Sequence, residues 1–176
     1  MWPFTPDNSA VRSRSPQLPR HPLIVCASLV QSPTNLGALC RTAEIFRLQS
    51  LVLPTLSVAQ NWEFRKLAAS AHHWQPLESC PGDRLLSQIP QWQQQAYGVY
   101  ALTLLPTAKP LLQFSFPEKT VLVLGRELTG VPPEIVQACN GAIAIPQFGL
   151  VESLNVSTAA AIAAYEYIRQ HAKSGY

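Results

Sequence analysis

Charged side chains are scarce in this chain, since Asp, Glu, Lys and Arg make up 13% of its 176 residues, whereas about 25% is usual for soluble domains. A surface with so few charges is often covered in part by a partner. No apolar run approaches the roughly 20 residues of a membrane span, so we expect no membrane segment. Residues 1–22 contain no continuous apolar stretch either, which argues against a secretory signal.

Cysteine pairs are also lacking. The four cysteines, Cys26, Cys40, Cys80 and Cys139, are scattered, with no CxxC pair and no histidine at ligand spacing. A zinc site or a disulfide framework is therefore not expected, and we predict a metal-free protein of the reducing cytoplasm. The net charge of +3 and the pI near 8.8 are compatible with nucleic-acid binding but do not establish it.

Enough apolar residues are present for one folded domain, since 47% of the chain is hydrophobic and a chain of this length buries a substantial core. Residues 1–20 are rich in Pro, Ser and Arg and lack periodicity, which predicts a flexible arm before a folded domain over residues 21–176. Arg12, Arg14 and Arg20 are available to contact phosphates, although a solvated tail is the simpler explanation.

Short apolar runs alternate with helical patterns after residue 22. The runs cover residues 23–29, 50–53, 98–102, 120–124 and 142–145. The helical patterns cover residues 36–47, 62–71, 83–94, 132–139 and 154–171. This alternation predicts an α/β domain with a mostly parallel sheet and helices on both faces, and the uniformly apolar runs are typical of strands buried on both sides. In such sheets, ligands bind at the carboxyl ends of the strands.

Polar side chains precede the last helical pattern. Glu152, Ser153 and Asn155 lie where a loop becomes an Ala-rich helix. Polar groups at a helix N-terminus gain from unpaired backbone N–H groups and from the helix dipole, so they can hold a ligand in a fixed geometry. For this segment alone, the interpretation that Ser153 is only an N-cap is equally good.

A second loop, after the first predicted strand, also opens a helix. Asn35 lies near the predicted helix N-terminus, and Arg41 follows about a turn and a half later. Gly37 and Ala38 permit a close approach to the backbone. Taken alone, this segment is explained as a capped helix with a surface arginine.

A third loop follows the apolar run at residues 120–124. Gly125 and Gly130 bracket it, and Glu127 lies between them, where a lone acid after a buried strand is a candidate site residue. Each of the three loops is a weak signal by itself. Three polar loops at strand ends, in this order, are much more specific.

Together the loops resemble the signature motifs of the SpoU/TrmH branch of the SPOUT RNA methyltransferases, and the resemblance covers residues 24–170. The first family motif, Asn-x-Gly-x-x-x-Arg, is matched by Asn35, Gly37 and Arg41. The second, a hydrophobic strand followed by Gly-Asn-Glu-Gly-x-Gly, is matched by Gly125, Glu127 and Gly130.

Two positions of the second motif differ, with Arg126 and Leu128 in place of Asn and Gly. The third motif, Ile-Pro-Met-x-Gly followed by Ser-Leu-Asn-Val-Ser, carries Gln147 in place of Met. Its matching residues are Ile145, Pro146, Gly149, Ser153, Leu154, Asn155, Val156 and Ser157.

The resemblance implies an α/β domain whose C-terminal part forms a deep trefoil knot, a homodimer, and S-adenosylmethionine bound in the knot. The cofactor would contact Leu102, Gly125, Ile145, Ser153 and Leu154. The catalytic surface would consist of Arg41, Asn35, Glu127, Ser153 and Asn155. Arg41 would act either as the base for a ribose 2′-hydroxyl or as a clamp for a substrate phosphate. Asn35 and Asn155 would hold Arg41, and Glu127 would stabilise the site by hydrogen bonding.

Within the family, the segments AEIFRLQSLVLP, FRKLAASAHHWQPL and FPEKTVLVLGRE look most like the catalytic domains of tRNA guanosine 2′-O-methyltransferases. This implies an enzyme that methylates the ribose of a D-loop guanosine in tRNA. The short predicted arm also favours tRNA, because relatives that act on ribosomal RNA often carry an additional N-terminal RNA-binding domain. Candidate RNA contacts are Arg12, Arg14, Arg20, Arg65, Lys66 and Arg126.

Two alternatives stay open. One is a 2′-O-methyltransferase that acts on ribosomal RNA. The other is a non-catalytic RNA-binding module, which the altered second motif would fit. For each candidate RNA contact, a solvated surface charge is also an explanation.

Overall fold

The computed structural model describes residues 19–151 and 153–172, so Arg12, Arg14 and Glu152 lie outside the described residues. Within these ranges, seven strands form one sheet in the order β3-β2-β1-β6-β4-β7-β5, and all neighbouring strands run parallel. The strands are β1 (His21–Cys26), β2 (Leu48–Leu53), β3 (Leu77–Ser79), β4 (Gly98–Leu102), β5 (Lys109–Pro110), β6 (Thr120–Leu124) and β7 (Gly141–Ala144). The predicted parallel α/β sheet is confirmed.

The described part of the chain contains five α-helices, of which four lie between strands and the fifth follows the last strand. They are α1 (Pro33–Ile45), α2 (Trp62–Ala68), α3 (Leu85–Gln94), α4 (Pro133–Ala138) and α5 (Val156–His171). Successive residues of a strand point to opposite faces of the sheet. In β6, Leu122 and Leu124 join a core with α1, α2 and α5, whereas Val121 and Val123 join a second core with α3 and α4. Helices therefore cover both faces of the sheet, as predicted.

Several predicted boundaries differ from the structure. The first strand covers His21–Cys26 rather than residues 23–29, because the chain turns after Cys26 although the next residues stay buried. Helix α2 ends at Ala68, where Ala69 adopts a left-handed conformation with φ 47°. The strands β3 and β5 were not predicted. They contain three and two residues, respectively, and lie at the two edges of the sheet.

Arg20 is part of the folded domain. It was expected to belong to a flexible arm and to be available to phosphates, but its side chain is bound within the fold. Its guanidinium donates to Glu44 Oε2 at 2.7 Å, to the Trp74 carbonyl at 2.8 Å, and to the Leu48 carbonyl and Gln75 Oε1 at 3.0 Å each. These bonds join the start of β1 to α1 and to the segment before β3. Both terminal nitrogens of the Arg20 guanidinium are therefore occupied within the fold.

Gly37 is required by helix packing. A Cβ atom at this position would lie 2.3 Å from the carbonyl oxygen of Phe64, in the first turn of α2. Gly37 was predicted to permit a close approach to the backbone. The structure shows such an approach, and the group that approaches is helix α2. This contact holds the N-terminal ends of α1 and α2 side by side.

No α-helix in the described residues is long and apolar enough to cross a lipid bilayer. The same ranges contain no group of three or more His, Cys, Asp or Glu side chains that could hold a metal ion. All four cysteines are free, and burial raises the pKa of Cys26 to about 11 and the pKa values of Cys40 and Cys139 to about 12. These thiols therefore stay protonated at neutral pH.

Candidate active site

The three motif loops meet at the end of the sheet where the strands have their carboxyl termini. The first follows β1, the second follows β6 and the third follows β7. Because these strands are parallel, their carboxyl ends lie at the same edge: Cys26 pairs with Val123, and Leu102, the last residue of β4, pairs with Leu124 and Ile143. The edge thus brings together residues that are far apart in the sequence.

The second motif forms a small closed loop. The Arg126 N–H donates to the Gly130 carbonyl at 2.9 Å, and the Gly130 N–H donates to the Arg126 carbonyl at 3.0 Å. A Cβ atom at Gly125 would lie 2.4 Å from the Gly130 carbonyl carbon, and Gly130 has φ 69°, so the loop needs glycine at both ends. Leu128 lies at the tip and is 98% exposed, so it replaces the family's glycine without a steric conflict.

Glu127 turns from this loop toward the first motif. Its Oε1 accepts hydrogen bonds from the Ser32 N–H at 3.0 Å and from Asn35 Nδ2 at 3.2 Å, and its Oε2 accepts from the Gln31 N–H at 3.4 Å. Partial burial alone would raise the pKa of Glu127, but these hydrogen bonds outweigh it and lower the pKa below its usual value. Glu127 is therefore a stable carboxylate and a weak base.

Asn155 connects the third motif to the other two. Its Nδ2 donates to Asn35 Oδ1 at 3.0 Å, while Asn35 Nδ2 donates to Glu127. Glu127, Asn35 and Asn155 therefore form one chain of hydrogen bonds, which we term the three-loop network. One residue from each family motif contributes to it.

The helix caps differ from the sequence prediction. Asn155, and not Ser153, is the N-cap of α5: its Oδ1 accepts from the Ser157 N–H at 2.8 Å and from the Ser157 hydroxyl at 2.7 Å. The helix accordingly begins at Val156 rather than at residue 154. At α1 the N-cap is Ser32, which leaves the Asn35 side chain for the network.

A cavity of about 470 Å³ opens between the second and third motifs. All five residues predicted to bind the cofactor line it, namely Leu102, Gly125, Ile145, Ser153 and Leu154. Glu127 and Asn155 line it too, and Asn35 is hydrogen-bonded to both of them. Three further polar residues line it, Thr103, Thr129 and Gln147, none of which was predicted to be a site residue. Their sequence positions, directly after β4 or within the motif loops, could have indicated that they line the site.

Arg41 does not line this cavity. It is exposed on α1 and makes no hydrogen bond or ion pair within residues 19–151 and 153–172. It follows Gly37 by four residues, so the two share a side of the helix. Asn35 and Asn155, which were expected to hold Arg41, do not contact it through hydrogen bonds among these residues, since their two amides bond to each other. The catalytic role of Arg41 stays a prediction.

The motif geometry agrees with a comparison to known families. Residues 22–165 match the model of the SpoU rRNA Methylase family. The chain belongs to this family. Its three motifs supply the three-loop network, and its third motif also caps α5.

Relatives within the SpoU family include enzymes named for tRNA. The chain is 38% identical over 148 residues to the mouse (Mus musculus) tRNA (guanosine(18)-2′-O)-methyltransferase TARBP1, a match that covers 84% of this chain and 9% of that protein. It is 32% identical over 167 residues to the tRNA (guanosine(18)-2′-O)-methyltransferase of Thermus thermophilus, covering 94% of this chain and 81% of that one. The chain therefore spans a small part of the mouse relative and most of the bacterial one.

The fold is also similar to that of a solved structure. The Aquifex aeolicus TrmH/SpoU tRNA modifying enzyme superposes with a TM-score of 0.79 at 28% identity, over 93% of this chain and 83% of that one. The parallel sheet is therefore a shared feature of this chain and a structurally characterised SpoU protein.

Proposed function

We propose that this chain transfers a methyl group from S-adenosylmethionine to the ribose 2′-hydroxyl of a D-loop guanosine in tRNA. The observation that carries the proposal is the meeting of the three family motifs at one cavity, where the three-loop network borders the predicted cofactor residues. The names of the mouse and Thermus relatives, which specify guanosine 18 of tRNA, support this choice of substrate.

The cavity suits a ligand that has both apolar and polar parts. Its volume of about 470 Å³ is within the range of roughly 300–1,000 Å³ that is usual for small-molecule sites. Leu102 and Ile145 supply apolar walls, while Ser153 and Thr103 supply hydroxyl groups. These residues, with Gly125 and Leu154, would hold S-adenosylmethionine, which when bound supplies a methyl group activated by the sulfonium that carries it, with a neutral thioether as the leaving group.

The remaining task is to prepare the ribose hydroxyl, which is a poor nucleophile until its proton is removed. Glu127 is unsuited to this task because its carboxylate is occupied by hydrogen bonds and its pKa is lowered. Arg41 is exposed and unpaired within the described residues, so its guanidinium is available to a phosphate or to the hydroxyl. In this proposal, Arg41 either orients the nucleotide as a guanidinium cation or, in its neutral guanidine form, accepts the hydroxyl proton. The three-loop network holds the adjoining loops in place.

The proposal includes a homodimer with a C-terminal trefoil knot, working in the cytoplasm. Four apolar side chains beside the cavity are each at least 79% exposed: Leu128, Phe148, Leu150 and Val151. Apolar clusters of this kind are often covered by a partner, and a second copy of the chain would cover them.

The packing of α5 against the central strands β1 and β6 is compatible with a knot. The free cysteines suit a reducing compartment.

The test uses purified protein, labelled S-adenosylmethionine and an unmodified tRNA transcript, with the methylated nucleoside identified by mass spectrometry. We expect 2′-O-methylguanosine at position 18, the position named for the relatives. A transcript with adenosine at that position and an Arg41→Ala variant are the matched controls, and both should lose the product.

Each negative result has a separate meaning. If the cofactor binds but the tRNA gains no methyl group, ribosomal RNA fragments become the next substrate to test. If calorimetry detects no cofactor binding, the chain is a non-catalytic RNA-binding module. A methylated base instead of a methylated ribose would contradict the reaction itself.

A further inference from the structure

Arg126 lies on the rim of the cavity in a fixed backbone position. Two hydrogen bonds to Gly130 close the loop that carries it, and the loop follows directly from the buried strand β6. The side chain is exposed and lines the cavity. The guanidinium is therefore presented to whatever enters the cavity from solvent.

The charge of Arg126 is not neutralised within the fold. Its guanidinium makes no hydrogen bond or ion pair in the described part of the chain, whereas Arg20 and Arg169 are each paired with a carboxylate. The neighbouring carboxylate of Glu127 is directed to Ser32 and Asn35 and accepts their hydrogen bonds instead. An unpaired guanidinium beside a cavity is a binding group for an oxyanion.

We propose that Arg126 binds a backbone phosphate of the substrate RNA next to the target nucleotide. This inference rests on the proposed function, since it assigns a contact of the RNA with that same site. The phosphate is favoured over the carboxylate of the cofactor because Arg126 is exposed at the mouth, where RNA must pass, and its planar fork matches two phosphate oxygens. Arg126 is thus a positioning residue: it sets where the nucleotide lies relative to the cavity.

The experiment measures direct binding of a fluorescent tRNA transcript by anisotropy, over a series of salt concentrations and without turnover. Arg126→Ala should weaken binding about tenfold at low salt. The slope of log affinity against log salt concentration should fall by about one, the effect of losing a single phosphate contact. Arg126→Lys should keep the salt slope but bind more weakly than the unaltered protein, because lysine lacks the bidentate fork.

The matched control is Arg84→Ala. Arg84 is also exposed and makes no side-chain hydrogen bond or ion pair among the described residues, but it lies outside the cavity, at the start of α3. Removing its charge reports the general electrostatic effect of losing one arginine. We expect a much smaller change in affinity and salt slope than for Arg126→Ala.

Three results would overturn the inference. The first is equal behaviour of the Arg126→Ala and Arg84→Ala variants. The second is weaker S-adenosylmethionine binding by calorimetry with unchanged tRNA binding, which would assign the guanidinium to the cofactor. The third is that the unaltered protein binds no tRNA. The third result would also defeat the proposed function. Failure of the proposed function alone would look different, because the protein would then bind tRNA with the Arg126 effects described above but transfer no methyl group to it.

Discussion

The side-chain amide of Asn155 donates a hydrogen bond of 3.0 Å to Asn35 Oδ1, a residue 120 positions earlier in the sequence. Asn35 in turn donates to Glu127, so a change in any of these three side chains removes at least one hydrogen bond that joins the motif loops. Asn155 has a second task, since its Oδ1 caps α5 through Ser157. The two tasks of this side chain can be separated by substitution.

Asn155→Ser should slow methyl transfer while leaving the fold stable. Serine retains the capping oxygen, but it lacks the amide that reaches Asn35. We expect the rate to fall about tenfold or more, because a misplaced loop costs positioning, while cofactor affinity changes little. Single-turnover kinetics and calorimetry measure the two quantities. If cofactor binding were lost instead, Asn155 would be a cofactor ligand.

Asn155→Ala is the companion variant. It removes both the amide and the cap, so it should show the same loss of rate and, in addition, a lower free energy of unfolding by about 1 kcal/mol. Urea denaturation of the three proteins gives this difference. Equal stability of the Ser and Ala variants would show that the cap contributes nothing to the stability of α5.

Gly37→Ala should destabilise the protein despite the better helix propensity of alanine. The propensity gain is about 1 kcal/mol, but the new Cβ atom would lie 2.3 Å from the Phe64 carbonyl oxygen. Overpacking typically costs about 1–3 kcal/mol, and a backbone atom cannot rotate away as a flexible side chain would. We therefore expect a cost in the upper part of this range, about 2–3 kcal/mol, and a net loss of about 1–2 kcal/mol, measured by urea denaturation.

The control for this substitution is Gly141→Ala in β7. There the nearest atom to a new Cβ, Tyr100 Cδ1, is 3.8 Å away, an ordinary contact. Its free energy of unfolding should change by no more than about 0.5 kcal/mol. Similar losses in both variants would mean that the α1–α2 contact is not the reason for glycine at position 37.

The main features of the fold could be predicted from the sequence because they depend on patterns several residues long. Uniformly apolar runs identified the buried central strands, and the helical segments between them implied parallel connections. The strands β3 and β5 were missed because two or three residues at a sheet edge carry no periodicity. Their pairing depends on neighbouring strands that sequence patterns do not locate.

The sequence identified candidate residues for the site, but it did not identify the contacts that these residues make with one another. The structure brings Asn35, Glu127 and Asn155 together at the carboxyl ends of the strands but leaves Arg41 outside the cavity. Hydrogen-bond partners depend on tertiary distances, which the sequence does not give. Asn155 was expected to hold Arg41, whereas it bonds to Asn35 and caps α5. Arg20 resembled a solvated tail residue because its partners, such as Glu44, are distant in the sequence.

Arg41→Lys should retain charge but lose most methyl transfer. Lysine cannot form two parallel hydrogen bonds to a phosphate, so the phosphate-clamp role of the guanidinium would be impaired. Because Arg41 does not line the cavity, cofactor affinity should be unchanged. We expect a decrease in rate of about tenfold or more. Full activity of this variant would contradict the phosphate-clamp role.

Glu127→Gln should remove part of the acid sensitivity of the fold. The hydrogen bonds to Glu127 lower its folded-state pKa, so their stabilising effect is complete at neutral pH and is lost as the pH falls through that lowered value. Glutamine does not titrate, so the difference in unfolding free energy between the two proteins should shrink on acidification. Urea denaturation over a pH series measures this difference. Glu166, whose pKa Arg169 and Gln170 lower to about 2, titrates in both proteins and cancels. A difference that stays constant across the acid range would mean that Glu127 is not held as a carboxylate by Ser32 and Asn35.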